Sequence, residues 1–238
     1  MRITHLVHSC MLVEAAGLRV LVDPGAFSPA AGEQADIDLV LVTHQHPDHV
    51  DPEALAAVIR RSPEAVVVAE PEAAAQIAAV VAEAGGRPVV ELAAGSTYEH
   101  PPRRSGSAAD GAGEAPALTV RALGGRHAVI HPDIPRVGNV GFVLDADDEP
   151  HLGITGDSLE PIDEFVGIDV LAFAVTAPWS KMAETIDFLR AVRPRIALPV
   201  HDGVASPEGR AIYMRQSTAL APEGTEVRDW PEDRVIEV

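Results

Sequence analysis

The sequence predicts a single α/β domain, and three observations carry that expectation. Short runs rich in Val, Ile and Leu, bounded by Gly, Pro or Asp, recur along the chain in the manner of buried strands. Longer Ala-rich stretches, several opened by proline, separate some of these runs and read as helices. At 238 residues with 47% hydrophobic content, the chain is long enough to bury a substantial core. No internal repeat divides it, so 1–238 is read as one domain.

Taken in order, residues 2–8 read as a strand, and 11–14 with 18–22 as a hairpin around Ala15-Ala16-Gly17. Asp23-Pro24-Gly25 breaks the pattern before a loop at 26–36. Asp23 has two readings: a turn carboxylate, or a partner that orients a ligating histidine. Residues 37–42 form the next strand. A helix follows through Arg61, with Asp51 as N-cap and Pro52 in the first turn. Strands at 66–69 and 88–91 flank a helix at 71–84, an alternation that places helices over one outer face of the strands.

The stretch 101–116 is dominated by Gly, Ala, Ser and Pro and reads as a mobile loop inside the domain. Its Arg103-Arg104 pair is read as solvated, with an anion contact as the other option. Strands resume at 117–123, 137–144, 151–155 and 168–175. They are followed by a helix at 181–191, a strand at 195–200, a helix at 207–220 and short strands near 225–229 and 233–237.

The net charge of −18, from 36 acidic and 18 basic residues, lacks the basic footprint of a nucleic-acid binder. No apolar run reaches the ~18–20 residues of a transmembrane helix. The single cysteine, Cys10, excludes an internal disulfide and is read as a small buried apolar residue. Met1-Arg2-Ile3-Thr4-His5 runs straight into strand-like sequence without a signal, so the expected location is cytoplasmic. The expected partner is a small-molecule substrate, with neither nucleic acid nor membrane, and a homo-oligomer is left open.

The chemistry concentrates in Thr43-His44-Gln45-His46-Pro47-Asp48-His49. Four ligand-type residues within six positions, where a strand ends and Pro47 turns the chain, fit a divalent metal. A structural zinc site would be cysteine-rich, so the cluster points to catalysis. His127, Asp157 and His201 each lie just past a strand-like run and join it as candidates. His131, four residues beyond His127, competes for the same place; His127 is preferred because it lies closer to the strand end. Trp179 reads equally as a pocket wall or a core aromatic.

Together these residues resemble the metallo-β-lactamase fold superfamily. Its H-x-H-x-D-H signature is matched by His44, His46, Asp48 and His49, and its later His, Asp and His by His127, Asp157 and His201. Val7-His8-Ser9-Cys10 and Leu21-Val22-Asp23-Pro24 are similar to the branch that contains ascorbate-6-phosphate lactonase and related metal-dependent hydrolases. The segment Ala177-Pro178-Trp179-Ser180-Lys181-Met182 departs from that branch's Gly-His-x-Thr-Met stretch.

The resemblance implies a four-layer αββα sandwich and a metal-dependent hydrolase. It implies two divalent ions: zinc first, with Mn2+ or Fe2+ as the other options. His44, His46 and His127 would hold one, Asp48, His49 and His201 the other, and Asp157 would bridge. A metal-activated hydroxide would then attack a small ester, lactone or phosphodiester. Asp48 would also handle a proton, and His8 would contact substrate. Two other classes share this fold: an iron-dependent oxidoreductase, told apart by colour and iron content, and a non-catalytic metal-binding module, which would be expected to have lost ligands.

Overall fold

A computed structural model of the chain describes residues 1–102 and 117–238. The Arg103-Arg104 pair and most of the low-complexity stretch lie outside the described residues.

The chain forms two seven-stranded sheets packed face to face. The first contains β1 (Arg2–His5), β2 (Met11–Ala15), β3 (Leu18–Val22), β4 (Leu39–Val42), β5 (Val66–Ala69) and β6 (Val90–Glu91). The last strand, β14 (Val235–Glu237), closes its edge beside β1. The second sheet runs from β7 (Thr97–His100) through β8 (Leu118–Gly124), β9 (Val140–Asp145), β10 (Leu152–Ile154), β11 (Val170–Ala174) and β12 (Ile196–Val200) to β13 (Glu226–Val227). Each sheet is antiparallel in one half and parallel in the other: β3 to β6 are parallel, and so are β10 to β13.

Strand periodicity explains the layering. Leu39 and Leu41 of β4 point between the sheets, and Val40 and Val42 point away from them. In the second sheet Ile196 and Leu198 face inward, while Leu171 and Phe173 face outward. Strands that are apolar on both faces need cover on both. Helices α1 (Pro52–Arg61) and α2 (Pro71–Glu83) cover the outer face of the first sheet; α3 (Met182–Val192) and α4 (Pro207–Leu220) cover the second. The result is the αββα sandwich, a single domain. Helix boundaries follow local chemistry: Asp51 caps α1 by accepting from the Ala54 amide at 2.8 Å, Pro52 follows it, and Leu55, Val58 and Ile59 form its buried stripe.

Three differences from the sequence reading bear on function. β1 stops at His5 instead of running to residue 8, because Val7 and His8 take φ of +84° and +58°, which no strand accommodates. The chain turns there, with the Leu6 amide on the Cys10 carbonyl, and presents His8 to the interior. The edge strand β7 and the short 3-10 turns at Ala31–Glu33 and Asp163–Phe165 carry too little periodicity to be read from sequence. Among the described residues, no helix is long and apolar enough to cross a membrane.

Candidate metal centre

The site lies beyond the carboxyl ends of the parallel strands, where an open α/β sheet leaves its crevice. β4 leads into the 43–49 segment, β10 into Asp157 and β12 into His201, while β8 leads into His127 from the antiparallel side. Two groups of side chains converge there: His44, His46, His127 and Asp157, and His8, Asp48, His49 and His201. Within each group the potential ligand atoms lie within 4.8 Å of one another. The structure thus brings together every residue singled out by the motif and the strand ends, and adds His8. His131 stays outside: its side chain is 59% exposed and faces Asp133.

Hydrogen bonds at the far nitrogen of each ring settle what the near nitrogen can do. His127 Nδ1 meets the Ala128 carbonyl at 2.7 Å, and His201 Nδ1 meets the Thr176 carbonyl at 2.8 Å. His49 Nδ1 meets Asp23 Oδ2 at 2.7 Å. Carbonyls and carboxylates only accept, so these three Nδ1 atoms carry a proton, and each Nε2 is the atom left for a metal. Thr43 donates its amide and hydroxyl to the two oxygens of Asp23, which leaves its hydroxyl oxygen to accept from His44 Nδ1 at 3.1 Å. Asp23 therefore orients His49 directly and His44 through Thr43, the second of its two sequence readings.

The ring Nε2 atoms converge on Asp157. Its Oδ1 lies 3.0 Å from His49 Nε2 and 3.2 Å from His201 Nε2. Its Oδ2 lies 3.1 Å from His127 Nε2 and 3.9 Å from His44 Nε2. One carboxylate oxygen faces each group. His49 Nε2, His201 Nε2 and Asp157 Oδ1 are buried with no hydrogen-bond partner. Lone pairs aimed at lone pairs at these distances repel unless a cation lies between them, so the donor set fits divalent metal on both sides of Asp157. In the metal-free chain a proton answers part of the same demand. Burial pulls His49 down most strongly, yet the carboxylates of Asp157 and Asp23 outweigh it and hold the ring well above the ordinary imidazole value. His44 goes the other way: burial, reinforced by neighbouring His49, keeps it well below that value.

His8 differs from the other rings. The Gly203 amide donates to its Nδ1 at 3.1 Å, which puts the ring proton on Nε2, 3.2 Å from Asp48 Oδ2. A ring in that tautomer has no lone pair for a metal on its Nε2 side. His8 is fully buried and is built to hold Asp48. His8 and His201 both take positive φ, +58° and +62°, and the His201 amide donates to the His8 carbonyl at 2.9 Å. Unusual backbone at paired site residues is the kind of strain that a surrounding fold has to impose.

Two further supports, Gly25 and Asn139, were not singled out in the sequence, and a third, Trp179, takes the first of its two readings. A Cβ on Gly25 would fall 1.8 Å from the Asp48 carbonyl oxygen, so only glycine lets the 23–28 loop press against the motif. Buried Asn139, just before β9, accepts from the Asp157 amide at 2.9 Å and donates to the Thr155 carbonyl at 3.2 Å, which clamps the turn that presents the carboxylate. A polar residue heading an otherwise apolar strand was the available signal. Trp179 lines the site: its indole N–H donates to Asp157 Oδ2 at 2.8 Å, and its ring stands edge-on to His127 and His201. Trp179→Phe keeps the ring and loses the donor. Its metal affinity, measured by calorimetric titration with zinc, is expected to change by roughly tenfold, the lower end of what partners of a ligand contribute; an unchanged affinity would reduce Trp179 to a wall.

The chain matches the model of the beta-lactamase superfamily domain over residues 2–201. It is 36% identical to the Mycobacterium tuberculosis protein Rv0786c over 99% of both chains. It is 30% identical to a UPF0173 metal-dependent hydrolase of Opitutus terrae over the whole length of both. Of solved structures, the metallo-β-lactamase fold protein YhfI of Bacillus subtilis superposes with a TM-score of 0.65 at 14% identity, covering 99% of each chain. A metallo hydrolase from Ignicoccus hospitalis does so with a TM-score of 0.64 at 19% identity, covering 100% of this chain and 98% of its own. At such identities the two structures speak for the fold.

Proposed function

The chain belongs to the metallo-β-lactamase superfamily and is a metal-dependent hydrolase, and from that premise we propose that it hydrolyses a small ester, lactone or phosphodiester at a two-metal site. The observation that carries this is the pair of Asp157 oxygens, each turned towards a different set of imidazole Nε2 atoms. His44, His46 and His127 would hold one ion and Asp48, His49 and His201 the other, with Asp157 between them. Zinc is the first candidate for a set of nitrogens and carboxylate oxygens, and manganese or iron share that preference. Divalent ions supply electrophilic polarisation of the scissile bond and lower the pKa of water towards neutrality.

The chain's own residues do the rest. Asp157 is buried among the imidazoles and is committed to them. Asp48 is only partly buried, so it is the carboxylate that water and substrate can reach. Burial raises its pKa, but the hydrogen bond from His8 and the nearby His49 outweigh that and bring it to about 2. Asp48 is therefore ionised at neutral pH, with Oδ2 fixed by the His8 N–H, and suited to orient a water and accept its proton. The His8 ring is enclosed by protein, which casts it as the residue that aims Asp48.

Two measurements test the proposal. Metal analysis should find close to two ions per chain after loading; none bound, and no hydrolysis of esters, lactones or phosphodiesters with added zinc or manganese, would sink it. Asp48→Asn should fold normally and lose about 10²–10⁴-fold in kcat, the range for a general base. His8→Asn should show a smaller loss of the same kind. Full activity in Asp48→Asn would refute the assignment.

A further inference from the structure

Resting on the hydrolytic reading above, the geometry points to a substrate that carries an uncharged apolar group, acyl or aryl, next to its scissile bond. A cavity of about 290 Å3 is lined by Ala128 and Ser158, the residues that follow His127 and Asp157 in the chain. Trp179, Leu159, Val129 and Ala128 supply its apolar walls. Trp179 is not a free surface aromatic, because its N–H is anchored on Asp157 Oδ2. The cavity therefore begins within one hydrogen bond of the reacting centre.

Several polar residues at the same cavity are engaged by the protein. Arg136 donates Nε–H to the His127 carbonyl at 2.8 Å, Ser158 Oγ accepts from the Glu160 amide at 3.2 Å, and Glu184 accepts from the Lys181 amide at 2.9 Å. Trp179, Leu159, Val129 and Ala128 form the hydrocarbon part of a lining that also holds Glu160.

The surface around the mouth agrees. Eight large hydrophobic residues are exposed among the described residues, and five of them lie on loops that carry or touch the site. Val129, Ile130 and Ile134 are 51%, 41% and 46% exposed on the segment after His127. Phe27 stands edge-on to His8 with ring centroids 5.0 Å apart, and Val204 follows His201 by three residues. The exposed apolar side chains of Val129, Ile130 and Ile134, gathered on one segment beside the cavity, mark a binding surface. Ile130 and Ile134 also line a second small recess together with His46 and His127, so the apolar rim is continuous with the ligand cluster. That continuity favours the substrate's own side group as the occupant.

The test uses the metal-loaded protein and 4-nitrophenyl esters from acetate to octanoate. We expect kcat/KM to rise with chain length by up to about fourfold per methylene, the factor for burying one, until the cavity is filled. Val129→Ser combined with Ile130→Ser should flatten that rise. A flat or falling series in a protein that does cleave the acetate ester would overturn the inference and leave the proposed hydrolysis standing. Binding gives an independent arm, since octanoate should bind the metal-loaded protein more tightly than acetate in a calorimetric titration. Equal binding overturns the inference whether or not any ester is cleaved. Sedimentation separates the remaining case: a dimer lost in the double Ser variant, with the chain-length series unaltered, would assign the rim to a second copy and likewise overturn it.

Discussion

Asp157→Ala should bind at most one metal ion per chain, and its hydrolytic kcat/KM should fall by at least about a thousandfold, beyond the 10–100-fold that loss of a mere partner of a ligand costs. The expectation follows from the two-sided geometry: among the described residues, no other side chain puts one oxygen against His49 and His201 and the other against His127 and His44. Asp157→Asn is the sharper variant. It preserves shape but turns one oxygen into an N–H donor, which can satisfy a bare imidazole nitrogen without a cation. The Asn variant should fold, hold little metal and, without metal, be at least as resistant to heat as the unaltered chain. Inductively coupled plasma mass spectrometry and a thermal melt read both quantities. Two ions retained in Asp157→Asn would show that the carboxylate does not bridge.

The legibility of this site in the sequence follows from how local each signal is. His44, His46, Asp48 and His49 sit within six residues and announce themselves. His127, Asp157 and His201 could be found because each follows an apolar run, and in an α/β sheet the ends of such runs form the crevice. The layers were legible for a related reason, since unbroken apolar runs such as β4 and β12 need cover on both faces whatever strand pairs with them. What escaped depends on contacts between distant residues. Nothing near Asn139 in the chain says that it clamps Asp157, and nothing near Trp179 says that its N–H meets the same carboxylate. His8 was visible as a residue, but the run 2–8 looked like a strand. Its left-handed backbone is imposed by the turn from Leu6 to Cys10 and by the tie to His201. The pairing that makes His8 a support for Asp48 depends on Gly203, 195 residues away.

The second large effect is expected in the coupling of metal, pH and stability. Without metal, His5, His8, His44 and His46 are all held below the ordinary imidazole value, with burial the largest cause for each. The unfolded chain takes up protons on these rings that the native chain refuses, so their contribution is intact above the unfolded imidazole value and is lost as pH falls through it. His49 opposes them: its raised value adds stability at low pH and loses it on the alkaline side. Below the unfolded imidazole value His49 is protonated in both states and no longer offsets them, so the loss with falling pH belongs to the lowered rings alone. The metal-free protein should therefore melt at sharply lower temperatures between pH 7 and pH 5. Zinc at a hundredfold excess over its Kd should add about 2.7 kcal/mol per site at pH 7, or roughly 5–10 °C per site for a chain of this size. Because ligation requires His49 to give up its proton and every Nε2 to stay bare, that increment should shrink by about 1.4 kcal/mol per pH unit for each proton displaced. Chelation at pH 7 should reverse the gain, and Asp157→Asn should show the acid sensitivity without the zinc increment. A zinc increment of the same size at pH 5 and pH 8 would mean that the ion binds away from these imidazoles.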